Sequence, residues 1–455
     1  MNTRALPRKD FFLMACTIAL PIMVQNLIST LVNTADTVML GYVSQEAMAA
    51  SSLAANVHTV MWTAFYGFTT GAAVLGAQYW GKKDLAAIEQ VLGLTIRFCV
   101  GVGLAAFLVS FLMPARIMSL FTSDPLLISE GAKYLKLVSF SFLFESFSTG
   151  YFAILRSTEK VMLPSITFVA SLGINVLMNA AFIFGFFGLP KLGIAGVAMG
   201  TVSARAFEVA VCVIHSLLSK DLHFRIQYVF SSTGILLHDF LELGLPACFN
   251  DIAWGLASSM FSVILGHMGS DTVAANAVAA MALNIGAIVS RGFANATTII
   301  VGKVLGTGDL ETAKTYSGRM LFITVVFSCL GGLVMLAIRP LLTDIYSDKL
   351  TQTAVFYLGI MLAMQAYRIV GEGINTCLIC GCFRAGGDSK FGAVVDSLCM
   401  WLIAVPAMAA AAYLFKLPVL GVYFVMCLDE FEKMPFIIHH YRKFNWLHNI
   451  TRELQ

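Results

Sequence analysis

The stretch "FFLMACTIALPIMVQNLISTLVNTADTVML", residues 11–40, is apolar over most of its length. A transmembrane helix needs about 20 consecutive apolar residues, so this stretch is long enough to cross a bilayer. It is also longer than the apolar region of a signal peptide, which covers about 7–15 residues. We therefore interpret it as a first membrane-spanning helix that is retained. It contains one proline, Pro21, and one acidic residue, Asp36.

The rest of the chain has the same character. Of its 455 residues, 58% are hydrophobic and 12% are charged, whereas about 25% of a soluble domain is charged. Long, continuous runs rich in Ala, Leu and Phe favour helices over a β-barrel. The sequence therefore predicts an all-α integral membrane protein surrounded by the lipid bilayer. The formal net charge of +3 does not suggest a nucleic-acid partner.

Charged or turn-rich breaks divide the chain into about twelve predicted transmembrane spans. Their limits are 11–40, 46–80, 88–113, 131–155, 161–187, 192–219, 235–268, 272–303, 312–338, 352–383, 391–415 and 417–441. About sixteen basic residues lie in one set of loops and about five in the alternate set, which places the first set in the cytoplasm. We expect a multi-pass protein of the plasma or inner membrane with both termini in the cytoplasm.

An internal repeat becomes visible when the sequence is shifted by 225 residues. The shift aligns Pro21 with Pro246, "VMLG" (38–41) with "VILG" (263–266), and "GKKDL" (81–85) with "GTGDL" (306–310). Matches at turn residues argue against a chance likeness between apolar helices.

The repeat divides the chain into two six-helix lobes of the same orientation. We expect an N-terminal lobe at 1–219, a cytoplasmic linker at 220–238 and a C-terminal lobe at 239–455. Two parallel halves around a central cavity are typical of transporters.

Asp36 belongs to a polar stripe on the first span. Gln25, Ser29, Asn33 and Asp36 follow one another at spacings of four, four and three, so they share one helix face. The repeat places Phe261 at the position of Asp36, so the fold itself does not need a carboxylate there. Burial disfavours the charged form of a carboxylate, which can then take up a proton or hold Na⁺. The alternative is an interfacial aspartate near the outer end of the helix.

Three further spans of the N-terminal half carry polar stripes. Their members are Ser141, Glu145 and Ser148, then Ser171, Asn175 and Asn179, then Thr201, Arg205 and Glu208. Small polar residues can also simply join helices, at a gain of about 0.6–2 kcal/mol. Both interpretations stay open for these stripes.

The C-terminal half also carries charged residues inside its predicted spans, among them Asp251, Arg291 and Glu372. On the twelfth span, Asp429 and Glu430 precede Lys433 by four and three residues, which is the spacing of ion pairs on a helix. These charges are interpreted as internal ion pairs, with a substrate-contacting or second cation site as the alternative.

Sequence patterns for other classes of protein fail. The cysteine cluster "CLICGC" (377–382) lies in an apolar span without histidine, so packing is favoured over a metal site. "GAQYWGKK" (76–83) lacks the Ser or Thr of a phosphate-binding loop and no strand precedes it. With no catalytic constellation, we expect no enzyme activity and no cofactor, and the energy for transport would come from an ion gradient.

Several motifs follow one another along the chain. They are Pro21 and Asp36 with "DTVMLG", then "GAQYWGKKD", "LRSTEKVMLPS", "NVLMNAAFIFG", "GLPKLGIAGVAMGT" and "FRAGGDSKFG". Together and in this order, they resemble the multidrug and toxic compound extrusion (MATE) family over essentially the whole chain. The resemblance implies two six-helix lobes in a V-shaped fold. It also implies export of cationic or amphipathic compounds in exchange for H⁺ or Na⁺.

The resemblance also implies roles for individual residues. Asp36 matches the first-span aspartate of the family, and Pro21 matches the proline that bends this helix. Asn175 and Thr201 match its cation-ligand set, in which Asn179 stands where an aspartate is common. We therefore expect Asp36, Asn175, Asn179 and Thr201 to couple the cation.

The C-terminal half departs from the family pattern. Trp254 and Ala257 stand around the place of a seventh-span glutamate, and Glu372 replaces a tenth-span aspartate with a displacement of one residue. The resemblance therefore implies that the C-lobe Na⁺ site is absent. We expect polar residues of both halves to line the substrate cavity, namely Gln25, Ser29, Asn33, Glu145, Asp251, Arg291 and Glu372.

The sequence thus predicts a secondary antiporter for a small organic substrate, with no obligate protein partner. There are three alternative functions. A lipid-linked oligosaccharide flippase of the same superfold would be expected to show several cationic residues in its cavity. An intramembrane enzyme is disfavoured because no catalytic constellation appears. A channel is disfavoured by the two-lobed repeat and the single buried carboxylate of the first span.

Overall fold

The computed structural model describes residues 5–41, 43–185, 188, 190–219, 222–230 and 234–452. Within the first helix, the side chains of residues 30–38 and 41 lie outside this description. The described chain is helical and contains no β-strand. Its helices are α1 (Arg8–Gly41), α2 (Gln45–Lys82), α3 (Leu85–Leu112), α4 (Pro114–Phe121), α5 (Pro125–Ser157), α6 (Met162–Phe184), α7 (Ile194–Leu218), α8 (Gln227–Phe230), α9 (Gly234–Gly266), α10 (Ser270–Gly306), α11 (Leu310–Ile345), α12 (Gln352–Thr376), α13 (Ser389–Leu398), α14 (Val405–Ala409), α15 (Val419–Met426), α16 (Asp429–Glu432) and α17 (Met434–Lys443).

Ten helical stretches of the described chain are long and apolar enough to cross a membrane, and each corresponds to a predicted span. The second predicted span is α2, which is 38 residues long but rich in small and polar residues. The twelfth is broken into α15, α16 and α17, and the break lies at the charged segment from Asp429 to Lys433. The tenth span contains one π-helical stretch, Cys377–Phe383, and the eleventh contains two, Cys399–Ala404 and Ala410–Leu414.

The turn after the second helix of each half shows the repeat in atomic detail. Lys83 (φ 62°) and Gly308 (φ 82°), 225 residues apart, both adopt the left-handed conformation. The next residue in each half, Asp84 or Asp309, accepts a hydrogen bond from the backbone N–H three residues later, at 3.0 Å in both cases. Each aspartate therefore caps the N-terminus of the following helix.

The chain divides into two compact units. The C-unit comprises Met1–Met23 and Phe249–Thr451, and the N-unit comprises Val24–Cys248 and Arg452–Gln455. In both repeats the division falls two residues after a proline inside a helix, Pro21 in α1 and Pro246 in α9. Proline removes one backbone hydrogen bond of a helix, which makes these positions natural points of division. The predicted bounds of the two lobes, which divide the chain between helices, stay a prediction.

Equivalent glycines let helices approach closely within each unit. In the N-unit, a Cβ added at Gly67 of α2 would lie 2.4 Å from Cys248 Cβ of α9. In the C-unit, a Cβ added at Gly292 of α10 would lie 2.3 Å from Met23 Cγ of α1. Gly67 and Gly292 are 225 residues apart, and so are Met23 and Cys248. The match of the two glycines in the repeat therefore has a physical reason, because the same crossing of helices occurs in both halves of the chain.

Candidate functional site

A cleft with a cavity volume of about 150 Å³ lies within the N-unit. Helices α1, α2, α5, α6 and α7 contribute its walls. Its polar and aromatic lining residues are Ser29, His58, Tyr134, Ser141, Phe142, Glu145, Phe168, Ser171, Asn175, Thr201, Arg205 and Glu208. The cleft thus places polar and charged side chains beside apolar and aromatic ones, so it can hold a small molecule that carries both kinds of group.

Glu145 is a buried carboxylate on one wall of the cleft, and its side chain is only 3% exposed. Its Oε2 lies 2.9 Å from His58 Nε2, and its Oε1 lies 3.2 Å from Arg205 Nη2. A buried charge is costly unless it is paired, so the histidine and the arginine stabilise this carboxylate together.

Glu208 is the second buried carboxylate of the cleft and has more partners. Arg205 Nη1 donates to its two oxygens at 2.9 and 3.1 Å. The hydroxyls of Ser171 and Ser148 donate to it at 2.7 and 3.1 Å. The polar stripes on the fourth, fifth and sixth predicted spans therefore meet at one point, where one arginine serves two glutamates.

The predicted cation ligands Asn175, Asn179 and Thr201 lie together at the interface of α6 and α7. Asn175 Nδ2 donates to Thr201 Oγ1 at 3.4 Å, and Asn179 Nδ2 donates to Asn175 Oδ1 at 3.2 Å. A Cβ at Gly200 would clash with Asn179 Oδ1, so the glycine permits this close approach. Amide and hydroxyl oxygens are ligands that suit Na⁺, although the amide groups here also bind one another. Their role in cation coupling stays a prediction.

The polar stripe of the first span is described only in part. Asn33 and Asp36 lie outside the residues whose side chains are described. Ser29 lines the cleft. Gln25 is buried and accepts a hydrogen bond from Arg156 Nη1 at 3.4 Å.

The other predicted site residues belong to the C-unit. Asp251 Oδ1 lies 3.9 Å from Arg384 Nη2. Arg291 Nη2 lies 3.6 Å from Glu372 Oε1. The structure therefore divides the predicted cavity residues into two groups, one in each unit, and their shared role in binding substrate stays a prediction.

A larger charged network is buried in the C-unit. Lys433 Nζ lies 2.6 Å from Asp396 Oδ1 and 3.1 Å from Glu430 Oε2. Arg368 donates to both oxygens of Asp429, at 2.9 and 2.6 Å. Internal ion pairs were predicted here, and the pair of Lys433 with Glu430 has the expected spacing. Asp429, however, pairs with Arg368 of α12, because that helix faces the break in the twelfth span.

Sequence reasoning did not place His58, Arg205 or Glu208 in the site. His58 is an ionisable residue inside a predicted span, and that signal was available because such residues are functional candidates by default. The sequence predicts only that Arg205 and Glu208 share one face of the sixth span. It does not predict their partners on other helices, because a polar stripe does not show which helix it faces.

Among the described residues, one group has the spacing of metal ligands. The ligand atoms of His238, Asp239 and Glu242, at the start of α9, lie within 4.8 Å of one another. Arg452 Nη2 donates to Asp239 Oδ1 at 2.8 Å, and a guanidinium in this position competes with a metal cation. The arrangement is therefore explained by ion pairing.

A helical membrane protein with a polar cleft inside its spans has the architecture of a membrane transporter. A sequence model of the MatE family matches residues 21–181 and 246–409, and the chain therefore belongs to this family. The two matched blocks begin at Pro21 and Pro246, the first aligned pair of the repeat. Members of this family are transporters and not enzymes.

Curated relatives match most of the chain. The probable multidrug resistance protein YoeA of Bacillus subtilis is 25% identical over 86% of this chain and 84% of its own length. The probable multidrug resistance protein NorM of Thermotoga maritima is 22% identical over 90% of this chain and 88% of its own.

Solved structures show the same fold at low sequence identity. A MATE structure in a bent conformation has a TM-score of 0.88 at 16% identity and covers 97% of both chains. An Asp→Asn variant of the Vibrio cholerae MATE transporter VcmN also has a TM-score of 0.88 at 16% identity, over 97% of this chain and 99% of its own. The predicted fold, with about twelve helices in two lobes, is thereby confirmed.

Proposed function

We propose that the protein is a cation-coupled antiporter that exports cationic or amphipathic small molecules in exchange for H⁺ or Na⁺. The observation that carries this proposal is the N-unit cleft, in which two buried carboxylates lie beside aromatic, apolar and small polar side chains. Relatives named as multidrug resistance proteins support the substrate class. The proposed location is the plasma or inner membrane, with both termini in the cytoplasm.

In the proposed cycle, substrate and coupling cation bind the same unit and lower each other's affinity. Such antagonism is required for exchange, and it is reciprocal by thermodynamic necessity. Asp36 is the proposed coupling carboxylate, with Asn175, Asn179 and Thr201 as further cation ligands. Pro21 is the proposed bending point at which the charge state of Asp36 changes the course of α1. The lobes at 1–219 and 239–455, with the linker between them, are the proposed moving parts.

The test is efflux of ethidium from proteoliposomes under a proton gradient alone or a sodium gradient alone. We expect one of the two gradients to drive efflux by the wild type, and this result identifies the coupling ion. Asp36→Asn removes the charge at nearly constant volume and should abolish gradient-driven efflux. Asp10→Asn is the matched control, because Asp10 is an exposed carboxylate on the same helix.

Two results would contradict the proposal. Normal efflux against a gradient by Asp36→Asn would remove this residue from coupling. Absence of gradient-driven efflux for any cation tested, in a correctly folded sample, would favour the flippase alternative. That alternative is then tested directly by flipping of a labelled lipid-linked oligosaccharide in the same vesicles.

A further inference from the structure

We propose that His58 controls the affinity of the N-unit cleft for organic cations, because its imidazole and the cationic group of the substrate compete for the Glu145 carboxylate. The inference rests on the proposed efflux function for the substrate class, and it assigns the cationic end of the substrate to Glu145. A protonated imidazole binds the carboxylate more strongly than a neutral imidazole does. Uptake of a proton by His58 therefore favours release of an organic cation from the cleft.

The two carboxylates of the cleft differ in how firmly they are held. Both oxygens of Glu208 accept hydrogen bonds from Arg205 and from a serine hydroxyl, so its partners come from α5, α6 and α7. Glu145 shares the same arginine through Oε1, and its Oε2 faces His58. Displacement of the histidine therefore frees one carboxylate oxygen for a ligand, while Arg205 and Glu208 keep their contacts.

His58 is also the partner that a ligand can reach. Its side chain is 40% exposed, against 21% for Arg205 and 3% for Glu145. The imidazole contacts Glu145 through one ring nitrogen, whereas Arg205 is also held by two bonds to Glu208. The more exposed of the two partners of Glu145, His58, is therefore the one that a ligand in the cleft can displace.

The surroundings of this contact suit an organic cation with an apolar body. The Phe142 ring lies 6.3 Å from the imidazole of His58, and the Phe168 ring lies 5.7 Å from the guanidinium of Arg205. Aromatic faces attract cations and also bind flat apolar groups. A lipophilic cation would therefore place its charge at Glu145 and its apolar groups against these rings.

The charged and titratable groups that face the cleft are few among the described residues. Glu145 and Tyr134 come from α5, and Arg205 and Glu208 come from α7. The described lining residues of α6 are uncharged, and Asp36 of α1 lies outside the described side chains. Imidazole is the side chain whose unperturbed charge changes between about pH 5 and 8.

The sign of the pH effect follows from these contacts. At low pH an imidazolium competes for Glu145, so the cleft should bind an organic cation weakly. At high pH the neutral imidazole competes less, so binding should be tighter. Where one proton excludes one cation, affinity changes by up to about tenfold per pH unit.

The test is equilibrium binding of tetraphenylphosphonium to the full-length protein in detergent, between pH 6 and 8.5 and without a gradient. The wild type should bind more weakly as the pH falls. His58→Gln keeps an amide donor for Glu145 but cannot be protonated, so its affinity should change much less with pH than that of the wild type, and any remaining change is the part contributed by Asp36. His439→Gln, a change at an exposed histidine of α17, should behave as the wild type.

Glu145→Gln is the second variant, and it should weaken binding at least about tenfold at pH 8.5 because the carboxylate is lost. Retention of the wild-type pH dependence by His58→Gln would overturn the inference, as would absence of probe binding or of any pH dependence in the wild type. These measurements use no ion gradient. Failure of gradient-driven efflux with intact, His58-dependent binding would therefore refute the antiport proposal and leave this inference standing.

Discussion

The N-unit and the C-unit are built from the same repeat, but they place their charges differently. In the N-unit, Glu145 and Glu208 border a cleft and one of their partners, His58, is 40% exposed. In the C-unit, the charged network around Lys433 is buried, and Asp396 also accepts a hydrogen bond from Asn250 Nδ2 at 2.8 Å. The difference indicates that the first network can exchange a partner for a ligand and that the second holds helices together.

The strongest test of this difference is the removal of Lys433. Lys433→Met keeps much of the side-chain volume but leaves Asp396 and Glu430 without their shared cation. Breaking a buried ion pair costs about 3–5 kcal/mol, because an uncompensated charge stays behind. We expect a fall of this size in the unfolding free energy, measured by equilibrium denaturation in detergent.

Lys191→Met is the control for this experiment, since Lys191 is exposed and lies outside the helices. Its unfolding free energy should stay within about 0.5 kcal/mol of the wild type. If Lys433→Met also changed the unfolding free energy by no more than about 0.5 kcal/mol, the C-unit network would not hold helices together, and the contrast between the units would be lost.

Single hydrogen bonds to a carboxylate provide the next comparison. Asn250→Ala in the C-unit removes a bond to Asp396, and Ser171→Ala in the N-unit removes a bond to Glu208. Hydrogen bonds to charged groups contribute about 1.5–3 kcal/mol, so both variants should lose stability in this range.

Binding separates these two variants. Ser171 lines the cleft, so Ser171→Ala should also weaken tetraphenylphosphonium binding, whereas Asn250→Ala should leave the dissociation constant unchanged. Weakened binding in both variants, in folded protein, would mean that the C-unit network contributes to the substrate site. The two networks would then act together rather than separately.

The paired glycines provide a comparison in which the two units are more alike. Gly67→Ala places a methyl group against Cys248 Cβ and within 3.0 Å of its Cα, whereas Gly292→Ala meets only side-chain atoms of Met23, from Cγ to Cε. Overpacking costs about 1–3 kcal/mol, and a methionine can move away more easily than a backbone atom. We expect the larger loss of unfolding free energy for Gly67→Ala.

Gly101→Ala is the control, because nothing lies within 4 Å of an added Cβ at this position of α3. Alanine is the better helix former, so this variant should be unchanged or slightly stabilised. An equal loss for Gly67→Ala and Gly292→Ala would show that Met23 is held as firmly as the backbone of α9.

Features that repeat along the chain could be predicted from the sequence. The helical class, the spans and the alignment of Pro21 with Pro246 rest on local apolar length and on turn residues. The division of α1 and α9 between the units could not be predicted, because it depends on which neighbours pack against each half of a helix. The contact of His58 with Glu145 was missed for the same reason, since it joins residues 87 positions apart.

The helix caps are the place where the two units should be most alike, and their removal should have the smallest effect. Asp84→Ala and Asp309→Ala each remove the acceptor for a backbone N–H, at a cost of about 1 kcal/mol. The loss should be slightly larger for Asp309→Ala, because the Thr312 hydroxyl also donates to this aspartate at 2.7 Å. Asp84→Asn and Asp309→Asn keep a side-chain oxygen at the cap and should retain the wild-type unfolding free energy. If alanine were harmless at one cap and costly at the other, the repeat would preserve the sequence of this turn without preserving its energetic role.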